Sequence, residues 1–172
     1  MSTVSISGAW RLNDKWSLRG GLGMVLDGKL APVGHTIQNI LPGGLFAVGV
    51  EYLWQQGDGY KPFIDFSTFI SASSATVEDL ITEETTNYFS SDLRVGGRAS
   101  WIIKDRVFPY LTVRVFGGPV SWKLAGEDVV GTDIHHYQIA LGTAVQFGKT
   151  GTFVEYAGLG ENALSVGLSY AW

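Results

Sequence analysis

The last ten residues, 163–172, read Ala-Leu-Ser-Val-Gly-Leu-Ser-Tyr-Ala-Trp and alternate strictly between two kinds of side chain. One phase contains Leu164, Val166, Leu168, Tyr170 and Trp172, while the other contains only alanine, serine and glycine. A period of two residues predicts a β-strand, because successive side chains of a strand point to opposite faces. The apolar face ends in aromatic residues, and the polar face lacks long charged side chains. This division suits a strand with lipid on one side and a narrow polar interior on the other.

The same alternation recurs along the whole chain and predicts about nine strands. They lie near residues 4–12, 16–26, 46–54, 63–70, 92–103, 109–116, 137–147, 153–157 and 163–172. Gly- and Pro-containing or acidic stretches at 27–43, 73–88 and 117–135 predict long loops, the second with one helical turn around Val77–Ile81. Short turns are expected near Asn13, Gly57, Asp105 and Lys149. Long and short connections therefore alternate, as outer loops and periplasmic turns do in membrane barrels.

Composition favours one domain, residues 1–172, and excludes several functional classes. Only 16% of the residues are charged, well below the roughly 25% of a typical soluble domain, and 23 are glycine. The net charge of −4 provides no basic field for nucleic acid. Cysteine is absent, which removes disulfides and thiolate chemistry. No apolar run is long enough for a transmembrane helix, which needs about 18 residues.

Tryptophan is concentrated at one end of the predicted strands. Five of the six tryptophans fall on the apolar phase within a few residues of a short turn or of residue 172. They are Trp10, Trp16, Trp54, Trp101 and Trp172. Tryptophan is enriched where a membrane meets water, so the sequence predicts a membrane-interface girdle at this rim.

Charged side chains follow the opposite phase. A lipid-facing arginine near the bilayer midplane costs about 2–4 kcal/mol, so the mid-strand arginines are expected to point inward. Buried charges need partners, which predicts a network inside the barrel. Its predicted members are Arg11, Arg19, Glu51, Asp65, Asp92, Arg94, Arg98, Arg114 and Glu155. Two hypotheses follow: the network fills and stiffens a narrow lumen, or it lines a small ion-selective channel.

With its C-terminal alternation ending on an aromatic residue, the chain resembles small bacterial outer-membrane β-barrels of the OmpA, OmpX and OmpW kind. The resemblance covers the chain as a pattern and rests mainly on residues 163–172. It implies an antiparallel up-and-down transmembrane barrel of about 8–10 strands located in the bacterial outer membrane. The implied roles are structural anchoring, adhesion or passage of small solutes. The implied partners are outer-membrane lipids, lipopolysaccharide and the barrel assembly machinery, which recognises the C-terminal strand.

The strand count adds a further expectation. Barrels with both termini in the periplasm have an even number of strands, whereas the alternation gives nine, the first beginning at the outer side near Val4. Residues 1–5 enter a strand pattern directly, so the sequence shows no signal peptide. Either one strand is divided wrongly, or an N-terminal strand is missing together with the signal. A missing strand would leave Val4–Leu12 as an open edge.

Catalytic and ligand-binding hypotheses find weaker support. Some outer-membrane barrels are lipid-modifying hydrolases with a His/Ser pair near the outer rim, and here His135, His136, His35, Ser121 and Asp133 are candidates. A loop edge is the simpler interpretation, and adjacent strand residues such as His135 and His136 point apart, which disfavours a metal site. The acidic 78–84 segment suits a solvated loop better than a site for divalent cations. The sequence therefore predicts no enzyme, no cofactor and no metal.

A soluble lipocalin-like barrel that binds an apolar ligand is the remaining alternative. It would bury the apolar phase and expose the arginines, which is the opposite face assignment.

Overall fold

The computed structural model describes residues 1–30, 37–58, 60–79, 85–124, 127–132, 134–160 and 162–171. These residues form twelve β-strands, and all their pairings are antiparallel. The strands are β1 (Ser2–Arg11), β2 (Trp16–Leu30), β3 (Gln38–Ile40), β4 (Gly43–Gln55), β5 (Phe63–Asp79), β6 (Thr85–Ser100), β7 (Val107–Gly117), β8 (Val120–Leu124), β9 (Glu127–Gly131), β10 (Tyr137–Phe147), β11 (Thr150–Gly160) and β12 (Ala163–Tyr170). No helix in the described ranges is long and apolar enough to cross a bilayer.

Nine strand positions make the wall of a small barrel. The order around the wall is β1, β2, β4, β5, β6, β7, β10, β11 and β12, so each strand lies beside the next as in a meander. The short β3 continues the third position above β4, between β2 and β5. The β8–β9 hairpin extends from β6. The predicted all-β antiparallel barrel is therefore confirmed.

The two ends of this order do not pair with each other. In the described residues β1 forms backbone pairs only with β2, and β12 forms them only with β11. All ten residues of β1 are exposed on both faces of the strand. The barrel wall is thus interrupted between its first and last strands.

Tight turns close one rim of the barrel. In the first turn the Asn13 side-chain oxygen accepts hydrogen bonds from the Lys15 and Trp16 amides at 2.9 and 3.0 Å. Asparagine is suited to this position because its side chain mimics a backbone turn. Lys104 and Asp105 turn with φ of 50° and 57°, and Gly148 with φ of 62°. The structure therefore has the short turns that the sequence predicts near Asn13, Asp105 and Lys149, and each turn depends on residues within it.

The prediction of three long loops is wrong for most of their length. Strand β2 continues to Leu30, β5 to Asp79 and β6 starts at Thr85, and the 117–135 region contains the β8–β9 hairpin. The expected helical turn is also wrong where it is described, because Val77 pairs with Thr86 in the sheet. Turn-forming and acidic residues suggested loops here. Cross-strand pairing at the end of the barrel opposite the short turns outweighs the weak strand propensity of these residues.

In the half of the wall nearest the short turns, called the lower wall, the inner and outer faces follow the alternation predicted from the sequence. On β5, Phe66 and Ile70 are exposed on the outer surface, while Asp65 lies on the inner face and is only 7% exposed. Strands β2, β4, β6, β7, β10 and β11 alternate in the same sense, with apolar residues outside and small, charged or aromatic residues inside.

Above this region the polarity of the two faces of β5 is reversed. Farther along β5, Ala75 and Val77 are buried inside, and Ser74 is exposed outside. The inward residues of the outer strand ends pack into one apolar cluster, the outer cap, made of Val25, Ile40, Ala75, Val77, Tyr88, Val120 and Trp122. The barrel therefore has a polar lower interior beneath an apolar outer cap.

Candidate functional site: a charged network inside the barrel

Arg98 on β6 is the centre of the main ion-pair cluster. Its Nε donates to Asp65 Oδ2 at 3.0 Å, and its Nη2 donates to Glu51 Oε1 at 2.8 Å. The other oxygen of Glu51 accepts from Arg19, with Nε at 2.9 Å and Nη2 at 2.7 Å. Register explains these pairs, because Asp65 lies directly across from Arg98 and Glu51 lies one strand farther. The cluster links β2, β4, β5 and β6 across the inner face of the wall.

A second cluster begins on the adjacent strand β7, and the Tyr110 ring, whose centroid is 5.9 Å from Arg98 Cζ, lies between the two clusters. Arg114 on β7 binds Glu155 on β11 through both terminal nitrogens, at 2.8 and 3.0 Å. The same guanidinium donates to Gln138 Oε1 at 2.8 Å on the intervening strand. The Tyr110 hydroxyl also hydrogen-bonds to the Glu155 carboxylate. A bidentate arginine–carboxylate pair is geometrically specific, so this cluster fixes three neighbouring strands relative to each other.

A fourth arginine, Arg94, lies against an aromatic ring. Arg94 reaches Asp92 at 3.5 Å and lies over the Phe116 ring, 5.2 Å from its centroid. Its Nε is buried without a hydrogen-bond partner. The ring partly replaces that partner, because a guanidinium is attracted to the face of an aromatic system.

Glycines give the inner aromatic rings room to lie against the wall. A Cβ on Gly142 would come within 2.3 Å of Tyr110. Equivalent contacts would be 2.4 Å between Gly49 and Phe69, and 2.3 Å between Gly167 and Phe153. Each ring therefore covers a glycine of the adjacent strand.

The structure places eight of the nine predicted network residues on the inner face and pairs each with another member. They are Arg19, Glu51, Asp65, Asp92, Arg94, Arg98, Arg114 and Glu155. Arg11 does not join them, because it pairs with Asp14 at the rim with 69% of its side chain exposed. Sequence reasoning missed Gln138, Tyr110 and Phe116, although all three share the inward phase of the arginines.

The predicted girdle residues lie at the short-turn rim where they are described. Trp10 and Trp54 are 69% and 58% exposed, and Trp16, 42% exposed, packs on Tyr52 with ring centroids 4.8 Å apart. Trp101 is half-buried, and Trp172 lies outside the described residues. The remaining tryptophan, Trp122, is only 7% exposed and belongs to the outer cap.

The structure brings together no catalytic pair among the residues that it describes. His135 and His136 are exposed, and neither hydrogen-bonds to Ser121. His35, Asp133, Glu83 and Glu84 lie outside the described ranges. Among the described residues, no three potential metal ligands lie together.

A small cavity of about 210 Å³ remains beside β1, and its lining includes Ser5, Ser7, Arg19, Ala47 and Phe69.

Comparison of the chain with family models, curated proteins and solved structures found no match. The features of the molecule that bear on its function are the inner network, the outer apolar surface and the outer cap.

Proposed function

We propose that this chain is a transmembrane β-barrel of the bacterial outer membrane that anchors its outer cap at the cell surface, without catalysis. The reversal of polarity along β5 carries this proposal. The same β5 strand has Ile70 exposed outside and, a few residues on, Val77 buried inside with Ser74 outside. A strand that leaves lipid for water needs this reversal, whereas a soluble barrel keeps one apolar face throughout.

The height of the apolar outer surface agrees with a bilayer. The outward apolar stretch of β5 runs over residues 64–72. At a rise of about 3.4 Å per residue and a tilt of about 40°, it spans about 21 Å. Membrane barrels carry an apolar band of about 25 Å. The exposed tryptophans of the short-turn rim lie at the lower edge of this surface, where an interfacial girdle would be.

Two features of the interior favour an anchor over a wide pore. The ion-pair clusters cross-link neighbouring strands in the lower half, and the outer cap buries apolar side chains of β2, β3, β5, β6 and β8 in the upper half. The second candidate is a narrow pore, favoured by the cavity beside Arg19. A lipocalin-like role is disfavoured because the lower interior is charged. A hydrolase role lacks a catalytic pair in the residues described.

Refolding into lipid vesicles tests the proposal. The purified protein should insert into the vesicles and stay inserted after detergent is removed. The unboiled sample should migrate faster on a gel than the boiled one. A folded barrel resists the denaturant of the gel until heated. Full solubility in plain buffer together with identical mobility before and after boiling would contradict membrane insertion.

Conductance in planar bilayers separates the anchor from the pore. An anchor with a closed lumen should show no steady single-channel current. Discrete currents that change size in Arg19→Gln, but not in the rim variant Arg11→Gln, would establish the narrow pore instead.

A further inference from the structure

The cavity beside β1 is built by four neighbouring wall strands, β1, β2, β4 and β5. Most of its lining residues lie on the inner faces of these strands. Ser7 of β1 pairs with Gly21 of β2, and Gly21 shares the inward phase of Arg19. At about 210 Å³ the cavity is larger than the roughly 150 Å³ in which a protein interior can hold benzene. It can therefore accommodate a molecule with one small ring.

Arg19 keeps one edge of its guanidinium group available to a ligand. Its Nε and Nη2 both bind Glu51 Oε2, at 2.9 and 2.7 Å, and so occupy the side edge of the group. Nη1 has no hydrogen-bond partner among the described residues, and 38% of the side chain is exposed. The protons of Nη1 and the second proton of Nη2 form a fork at the end of the group. Such a fork matches the two oxygens of a carboxylate.

The rest of the lining contains an apolar part. Leu45 and Ala47 of β4 and Phe69 of β5 contribute to it. The Phe69 ring lies against the neighbouring strand, because a Cβ on Gly49 would come within 2.4 Å of the ring. Small-molecule sites in proteins combine a mostly apolar lining with a few placed polar groups. The cavity therefore suits a ligand with a small apolar body and one polar head.

The charge of the lining favours a negatively charged head. Among the described residues that line the cavity, Arg19 is the one that carries a charge. Its partner Glu51 is not part of the lining, and both Glu51 oxygens already accept from arginines, Oε2 from Arg19 and Oε1 from Arg98. The hydroxyls of Ser5 and Ser7 can donate further hydrogen bonds. A carboxylate would meet donors here, whereas an ammonium group would meet a guanidinium and no acidic side chain.

We propose that this cavity binds a small organic carboxylate about the size of benzoate. The carboxylate oxygens accept hydrogen bonds from the Arg19 fork and from a serine hydroxyl of β1, while the ring lies against Phe69 and Ala47. This is a ligand site in addition to the anchoring role. It depends on the pairing of β1, β2, β4 and β5 and requires no particular environment outside the barrel.

Equilibrium dialysis of radiolabelled benzoate tests the site. The full-length protein is refolded in micelles, and micelles without protein give the background partitioning of the probe. Benzyl alcohol and benzylamine carry the same ring with a neutral or a cationic head, and they serve as unlabelled competitors. The expected result is saturable binding of one benzoate per chain. The two competitors should displace it at least about tenfold less well than unlabelled benzoate, because they lack the charge-assisted pair.

Two substitutions locate the bound benzoate, each with a matched control. Arg19→Gln removes the fork and should weaken binding about tenfold or more, whereas Arg11→Gln removes the same charge at the exposed rim and should not. Ala47→Leu fills the cavity without altering a charge and should abolish saturable binding. Ala144→Leu enlarges an inner-face residue of β10, outside the cavity lining, and should leave binding unchanged.

Three results would each overturn the proposal: no saturable binding by the unmodified protein, equal displacement by benzyl alcohol, or unchanged binding in Ala47→Leu. If Arg19→Gln fails to refold, Ala47→Leu and its control decide the location. Unboiled and boiled portions of each sample report folding as a membrane barrel separately. A heat-shifting barrel that does not bind benzoate therefore contradicts the site alone, and benzoate binding without a heat shift contradicts the membrane barrel alone.

Discussion

Replacement of Arg98 by glutamine should destabilise the barrel far more than the same change at Arg11. Arg98 is the guanidinium partner of Asp65, whose residue is 7% exposed, whereas Glu51 also binds Arg19. The variant therefore strands one buried carboxylate. Breaking a buried pair costs about 3–5 kcal/mol, and because a third of the Arg98 side chain is exposed, we expect about 2–3 kcal/mol here.

Urea unfolding in lipid vesicles, followed by tryptophan fluorescence, measures the change in the free energy of unfolding. Arg11→Gln removes the same charge from an exposed pair and should cost about 0–1 kcal/mol. Adding Asp65→Asn to Arg98→Gln removes the stranded charge and should restore part of the loss. Equal effects of Arg98→Gln and Arg11→Gln, or no recovery in the double variant, would refute the reasoning.

Two other parts of the interior give matched comparisons. Gly142→Ala should destabilise the barrel by about 1–3 kcal/mol in the same assay, because the new methyl group overlaps the Tyr110 ring. Gly8→Ala, which meets nothing within 4 Å, should have little effect, and equal losses would contradict the wall-packing of the ring. Trp122→Ala should loosen the outer cap, since truncating a buried tryptophan costs about 3–5 kcal/mol, and limited proteolysis should then cut the β8–β9 hairpin sooner. Lys123→Ala, on an exposed neighbour, is its control, and equal cutting rates would argue against the cap.

The lower barrel was predictable because the charged side chains of the network follow one phase there and most of the exposed apolar side chains follow the other. The phase of Arg98 or Ile70 could be read directly from alternation. This division fails above the polarity reversal, where Val77 and Trp122 turn inward and turn-like residues lie in strands. The sequence alone offers no marker for that level.

The ion-pair partners of the arginines could not be predicted from the sequence either. Alternation places Arg11 and Arg114 on the same face, yet one lies at an open edge beside Asp14 and the other between two paired strands. Which carboxylate an arginine meets depends on cross-strand register, which alternation does not determine.

The most direct measurement compares Ile70→Arg with Ser74→Arg in lipid vesicles. Both side chains are exposed on the outer face of β5, four residues apart, on either side of the polarity reversal. Ile70 has apolar neighbours on both adjacent strands, Val48 and Leu93. If the lower surface faces lipid, Ile70→Arg should lower the free energy of unfolding by about 2–4 kcal/mol, and Ser74→Arg by about 0–1 kcal/mol. Equal, small losses for both variants would place both positions in water and contradict a transmembrane barrel.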